Sequence, residues 1–161
     1  MHTLTPELLT RAQFAPFGDV IDRRDVSPLV INGGRTQRYD DLAVIDLLGQ
    51  DFRPRISLFL SKPVALPLEI NALERHPLGS QAFMPLHSER FLVVVAPAGG
   101  AVDLSTVRAF ITDGHQGVNY RAGTWHAVHA VLDQEGEFLV IDRAGPGANC
   151  DEQQVSLTVA L

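Results

Sequence analysis

Gly117-x5-Gly123-x2-His126 is the arrangement in this chain best suited to chemistry: two glycines frame a turn that hands one imidazole to the start of an apolar strand. An imidazole titrates near neutrality, so one that opens onto a sheltered cavity can move protons or hold a metal. His129 lies three residues further on. On an unbroken strand that offset puts it on the opposite face, as a structural or exposed side chain. A second cluster is Glu74-Arg75-His76-Pro77, where strand alternation places Glu74 and His76 on one face and Arg75 on the other. Pro77 and Gly79 then turn the chain into Gln81, which shares a face with Phe83 and Pro85. An amide in that setting can read a urea or carboxamide through paired donor and acceptor. A third cluster joins Asn32 to Arg38-Tyr39-Asp40-Asp41. Arg38 can clamp a carboxylate bidentately, or it can pair with Asp40 or Asp41 at the surface.

The elements that must position these side chains read almost entirely as strands. Residues 4–17 carry a short helix at most, with Thr5 as its N-cap and Pro6 in the first turn. Gly18–Ile21 starts a strand, and Ser27–Tyr39 reads as a hairpin around Asn32-Gly33-Gly34. Leu42–Leu48 is read as a strand from its β-rich surroundings, followed by Arg55–Ser61. Ala65–Ile70, interrupted by Pro67, belongs on an edge or a bend. Short apolar segments then recur at Leu73–His76, Ser80–Leu86, Phe91–Ala96, Val107–Thr112, Gly117–Arg121, Trp125–Leu132, Phe138–Arg143 and Ser156–Ala160, divided by Gly and Pro turns. That spacing, with almost no helical periodicity, predicts an all-β fold: a cupin-like double-sheet jelly-roll barrel in one domain over residues 1–161.

Composition narrows the functional classes. The net charge is −6, and the basic residues form no stripe, which argues against nucleic acid or an anionic membrane surface. No apolar run approaches the roughly 20 residues of a membrane span, and the first residues lack the basic-then-apolar pattern of a secretory signal. A single cysteine, Cys150, excludes an internal disulfide and fits a cytoplasmic location. It lies in GPGANCDE, where neighbouring acids raise a thiol pKa, so it reads as unreactive. Lys62 is the only lysine among 13 cationic side chains; the rest are arginines, whose planar fork suits a carboxylate. There is no Gly-x-Ser-x-Gly elbow, no phosphate-cradling loop and no His-Glu-x2-His, which disfavours nucleophilic hydrolysis and nucleotide chemistry.

A metal-binding cupin commonly carries two His and a Glu on its first motif and a further His on its second. Here Glu89, just before Phe91–Ala96, looks like the first-motif Glu, and His126 like the second-motif His. The first-motif His pair is absent, which leaves His126, Glu89 and His87 as the expected ligands of a loosely held divalent ion.

Over nearly its whole length the chain resembles the ureidoglycolate lyase family. The resemblance is carried by Phe17–Ile21, Asn32–Ala43, Leu73–Pro85, Asp103–Tyr120, Thr124–His126, Phe138–Arg143 and Asn149–Asp151. It implies a cupin-type barrel, a cytoplasmic homodimer, and cleavage of (S)-ureidoglycolate into glyoxylate and urea during allantoin breakdown. It also implies a divalent metal, nickel by family association. Such a substrate is a hemiaminal, whose collapse needs a base at the hydroxyl and an acid at the departing nitrogen. On this reading His126 is the base, aided by Glu89 or a metal, and His76 with Gln81 holds the urea end. Arg38 or Arg75 holds the carboxylate, with Asn32 and Tyr39 beside Arg38. Two other functions remain open: a non-catalytic cupin that binds a small carboxylate, and an amidohydrolase that releases ammonia from the same substrate.

Overall fold

The computed structural model describes residues 2–161. Its strands are β1 (His2–Leu4), β2 (Glu7–Leu8), β3 (Gly18–Ile21), β4 (Leu29–Ile31), β5 (Thr36–Arg38), β6 (Arg53–Ser61), β7 (Leu68–Arg75), β8 (Gln81–Pro85), β9 (Phe91–Ala96), β10 (Arg108–Ile111), β11 (Gly117–Tyr120), β12 (Trp125–His126), β13 (Ala130–Val131), β14 (Gly136–Ala144) and β15 (Asp151–Val159). One short helix, α1 (Arg11–Phe14), follows β2. An eight-stranded sheet runs β1-β15-β7-β12-β9-β10-β2, with β13 also on β9. A five-stranded sheet runs β3-β11-β8-β14-β6, and β4-β5 stands apart as a hairpin. The expected all-β double-sheet jelly-roll is the observed architecture.

Two apolar layers explain why Phe91–Ala96 is hydrophobic without alternation. Phe91, Val93 and Val95 point between the sheets, where they join Phe83, Val118, Tyr120, Phe138 and Val140. Leu92, Val94 and Ala96 point the other way, into a second layer with Leu73, Trp125 and Leu157. A strand buried on both faces has no polar side to show.

Several local expectations are corrected. The helix begins after Thr10, not Thr5: Thr10 Oγ1 accepts from the Gln13 N–H at 3.3 Å, while Glu7 and Leu8 are taken up by parallel pairing with Phe110 and Ile111. Leu42–Leu48 is not a strand. Only Leu47 bridges, to Gly79, and side chains hold the rest: Ser80 Oγ takes the Asp46 N–H and Asp19 the Val44 N–H. Pro67 stands just before β7 rather than inside a strand, so the two segments expected on either side of Asn71 merge into one. Trp125–Leu132 is broken. His126 faces Val95 and Ala130 faces Leu92, four residues against three on β9, which is a β-bulge. The extra residue resets the alternation and turns His129 into the barrel, against Phe83, Phe91 and Phe138, where a regular strand would have turned it outward.

Candidate active site

Register lines up one row of side chains on each sheet at the same end of the barrel. On the larger sheet His126 faces Glu74 on one side and Val95 on the other. On the smaller sheet Tyr120 faces Gln81 and Asp142 faces Arg55. The pairing of Ile141 with Ala82, continued by one residue, brings Asp142 beside Gln81. Tyr120 is in the inner core, as are Phe83 and Val140, so alternation points Gln81 and Asp142 inward too. Gln81, Asp142 and Arg55 border a hollow of about 460 Å³, lined also by Phe59, His76 and Cys150 among others.

Glu74, His76 and His126 converge at its edge, where His76 lines the hollow, each offering a ligand atom within 4.8 Å of the others'. Their placement follows from local structure. Gly123 adopts φ +82, a conformation that favours glycine, and its N–H donates to the His76 carbonyl at 2.9 Å. The turn before His126 is thereby fastened to the end of β7. Gly117 has a different reason: a Cβ there would lie 2.5 Å from the Phe83 carbonyl, so only glycine lets β11 lie so close to β8. Asn149 clamps the other flank, accepting the Leu78 N–H on Oδ1 and presenting its carbonyl to His76 Nδ1 at 2.8 Å.

The two imidazoles are held alike. His126 Nδ1 meets the Ala127 carbonyl at 3.0 Å, as His76 Nδ1 meets Asn149. A backbone carbonyl accepts only from an N–H, so both rings carry a proton on Nδ1, and the free lone pair of the neutral ring is the one on Nε2. Both Nε2 atoms are buried without a hydrogen-bond partner. His76 Nε2 lies 3.9 Å from a Glu74 oxygen, and the two rings are 5.2 Å apart. Burial in this apolar setting pushes the His126 pKa down to about 4, with His76 adding to the fall and the Ala127 carbonyl opposing it. At neutral pH His126 is therefore uncharged and has a lone pair to give.

Of the residues singled out in the sequence, the fold brings His126, His76 and Gln81 together and leaves the others elsewhere. Glu89 is buried two residues before β9, at the end away from His126: Val95, which faces His126, and Phe91 are already on the order of 13 Å apart at strand rise. There it accepts the His87 N–H at 2.9 Å and the Glu137 N–H at 3.4 Å. His87 is exposed beside Glu137. The expected ligands His126, Glu89 and His87 are thus not brought together; the donors that the fold places beside His126 are Glu74 and His76. Arg75 points to the opposite face of β7, as alternation requires: it pairs with Asp151 at 2.8 Å and lies 4.6 Å over the Trp125 ring. Arg38 pairs with Asp40 on the β4–β5 hairpin. Asn32 bonds Thr36 and Tyr39 bonds Gln37 within that same arm, away from the hollow. Glu74 was foreseeable, because alternation already placed it on His76's face. Asp142 and Arg55 carried no local signal; only the β14–β6 pairing joins them. Burial raises the Cys150 pKa, with Glu74, Glu152 and Asp151 adding to it, in keeping with its acidic surroundings.

A family model described as Ureidoglycolate lyase matches residues 1–161. A protein named ureidoglycolate lyase from Burkholderia mallei is 51% identical over 96% of this chain and 91% of its own length. One of the same name from Stutzerimonas stutzeri is 50% identical over 94% and 89%. Among solved structures, RmlC from Streptococcus suis overlaps 60% of this chain and 45% of its own, with a TM-score of 0.42 at 9% identity.

Proposed function

The chain belongs to the ureidoglycolate lyase family, and on that footing we propose that its Glu74–His76–His126 cluster releases urea from ureidoglycolate to leave glyoxylate. The convergence of these three donors beside an amide-lined hollow carries the reading. One carbon of the substrate bears a hydroxyl, a carboxylate and a ureido nitrogen. The neutral His126 presents Nε2 to the hydroxyl and takes its proton; the carbon–nitrogen bond then breaks as the aldehyde forms. The proton that His126 has taken then passes to the departing nitrogen, so the same imidazole serves first as base and then as acid, with His76 and the Glu74 carboxylate beside it. Gln81 offers an amide to the urea end. No covalent intermediate is required.

The same donors fit a divalent cation. A carboxylate and two imidazoles are borderline ligands of the kind that nickel, zinc or manganese accept, and the two buried, unpartnered Nε2 atoms are otherwise costly. When bound, such an ion supplies positive charge that acidifies the substrate hydroxyl.

The outward face of β6, with Ile56, Leu58 and Leu60 exposed on an edge strand, supports a homodimer closed over that stripe. Leu58→Glu should then shift the mass measured by light scattering to that of a monomer. One exposed cysteine without a disulfide partner supports a cytoplasmic setting.

The test is to add racemic ureidoglycolate and measure glyoxylate, urea and ammonia, before and after chelation and after nickel is restored. Equal glyoxylate and urea is the expected result. Ammonia in place of urea would mean amidohydrolysis, and no turnover would reduce the protein to a binder. Activity that survives chelation assigns the His126 lone pair to proton transfer; activity lost and then restored by nickel assigns it to ligation.

A further inference from the structure

We infer that Arg55 grips the substrate's carboxylate, held in position by Asp142. This rests on the reading that the hollow receives ureidoglycolate, whose carboxylate is charged throughout the reaction. A carboxylate brought out of water needs a fixed cationic or N–H partner, and the chain as a whole is acidic, so that partner must be local. Two guanidinium groups line the hollow, those of Arg55 and Arg143. Arg143 is committed elsewhere: it is 4% exposed, with Nε on the Leu48 carbonyl and Nη2 on that of Pro146. It ties two loops together, and only its Nη1 is left over, on a side chain with almost no exposed surface.

Arg55 is arranged differently. It has the same strand parity as Phe59, whose ring meets Phe83 in the inner layer at 5.6 Å, so it projects toward the barrel mouth. Its Nε and Nη2 donate to the two Asp142 oxygens at 2.8 and 2.9 Å. That bidentate contact occupies one edge of the fork and fixes its plane. The other edge, with Nη1, has no protein partner among the described residues, and 49% of the side chain is exposed. A planar fork pinned along one edge by a carboxylate presents the other edge ready-made to a second carboxylate. Gln81, next to Asp142 in the same row, would read the ureido end of the bound molecule. The row therefore separates substrates by the group beside the reacting carbon: an anion is gripped, and a neutral amide is not.

Two non-reacting analogues test this. Hydantoate keeps the carboxylate and the ureido group but lacks the hydroxyl; its carboxamide is the neutral counterpart. The native protein should bind hydantoate more tightly than the amide, as measured by competition against ureidoglycolate and by calorimetry. Arg55→Gln should weaken hydantoate binding by about 10²-fold, the scale of a charge-assisted contact, and change amide binding by less than about threefold. KM for ureidoglycolate should rise far more than kcat falls. Arg55→Lys, which keeps the charge and loses the fork, should fall between the two and decides the matter if the Gln variant does not fold. If Arg55→Gln or Arg55→Lys keeps the full preference for hydantoate, Arg55 is not the anchor, whether or not urea is released. If the native protein neither turns over ureidoglycolate nor binds hydantoate, the reading of the hollow itself fails.

Discussion

The imidazole of His126 lies flat on the phenol ring of Tyr120, with centroids 4.4 Å apart and planes 3° from parallel. The two residues come from opposite sheets, so the stack bolts the barrel together at its mouth and fixes the plane in which Nε2 points. Tyr120→Phe keeps the ring and should leave kcat within about threefold. Tyr120→Ala removes it, with a cost of about 3–5 kcal/mol for a buried aromatic; the freed imidazole should lower kcat by at least about tenfold in the fraction that stays folded. Thermal denaturation and steady-state kinetics on both variants check this. A drop of about 10²-fold in Tyr120→Phe would mean that the hydroxyl, and not the ring, is what matters.

His126 is useful only while neutral, whether its lone pair takes a proton or holds an ion. Its pKa of about 4 lies below the ordinary 6.5, because burial penalises the charged form. The acid limb of kcat/KM should therefore fall well below pH 6.5, with activity lost as the pH drops toward 4. His126→Ala should cut turnover by about 10²–10⁴-fold while the protein stays folded. A rate profile that bends at 6.5 would show that some other imidazole controls the reaction.

How much of this could be read from the residues varies with how local the signal is. The strand spacing gave away the barrel because most turns carry a Gly or Pro, and Gly117 and Gly123 advertised the frame of His126. The Glu74–His76 side of the site was legible too, since alternation within one strand is a local rule. What could not be read was pairing across the fold. Glu89 looked like a ligand because it precedes an apolar strand, but β9 carries it to the wrong end of the barrel. Arg75 and Arg38 looked like carboxylate clamps until Asp151 and Asp40 proved to be their partners. Arg55 and Asp142 are 87 residues apart, and only the β6–β14 ladder brings them together. His129 was misjudged for a related reason: one bulge residue, invisible in the sequence, reverses the face it takes.

Glu74 should matter more for holding a cation than for stability. It is partly exposed, its pairs with His76 and His126 are long at 3.9 and 4.0 Å, and among the described residues its carboxylate takes only a 4.0 Å contact from Cys150 as a hydrogen bond. Glu74→Gln should thus unfold within about 1 kcal/mol of the native protein, as a lone weak pair implies. Its affinity for nickel, titrated calorimetrically into chelator-treated protein, should fall at least about tenfold. Unchanged affinity would remove Glu74 from the ligand set and leave only the two imidazoles.

His129 predicts how stability depends on pH. Both of its ring nitrogens are buried without a partner, amid Phe83, Phe91 and Phe138. Burial alone lowers its pKa from 6.5 to about 4. The unfolded chain therefore binds a proton between these values that the folded chain refuses, so stability rises with pH across that window. The contribution is complete above 6.5 and is lost as the pH falls through 4. At about 1.4 kcal/mol per pH unit it amounts to about 3 kcal/mol. His129→Leu removes the titration, whatever it does to the packing, and should flatten the slope of denaturation free energy between pH 6.5 and 4 relative to the native protein, leaving only the share due to His126. Urea melts at half-unit pH steps measure that slope directly. Parallel curves for the two proteins would mean that the ring is already charged in the folded state, or that it finds water inside the barrel.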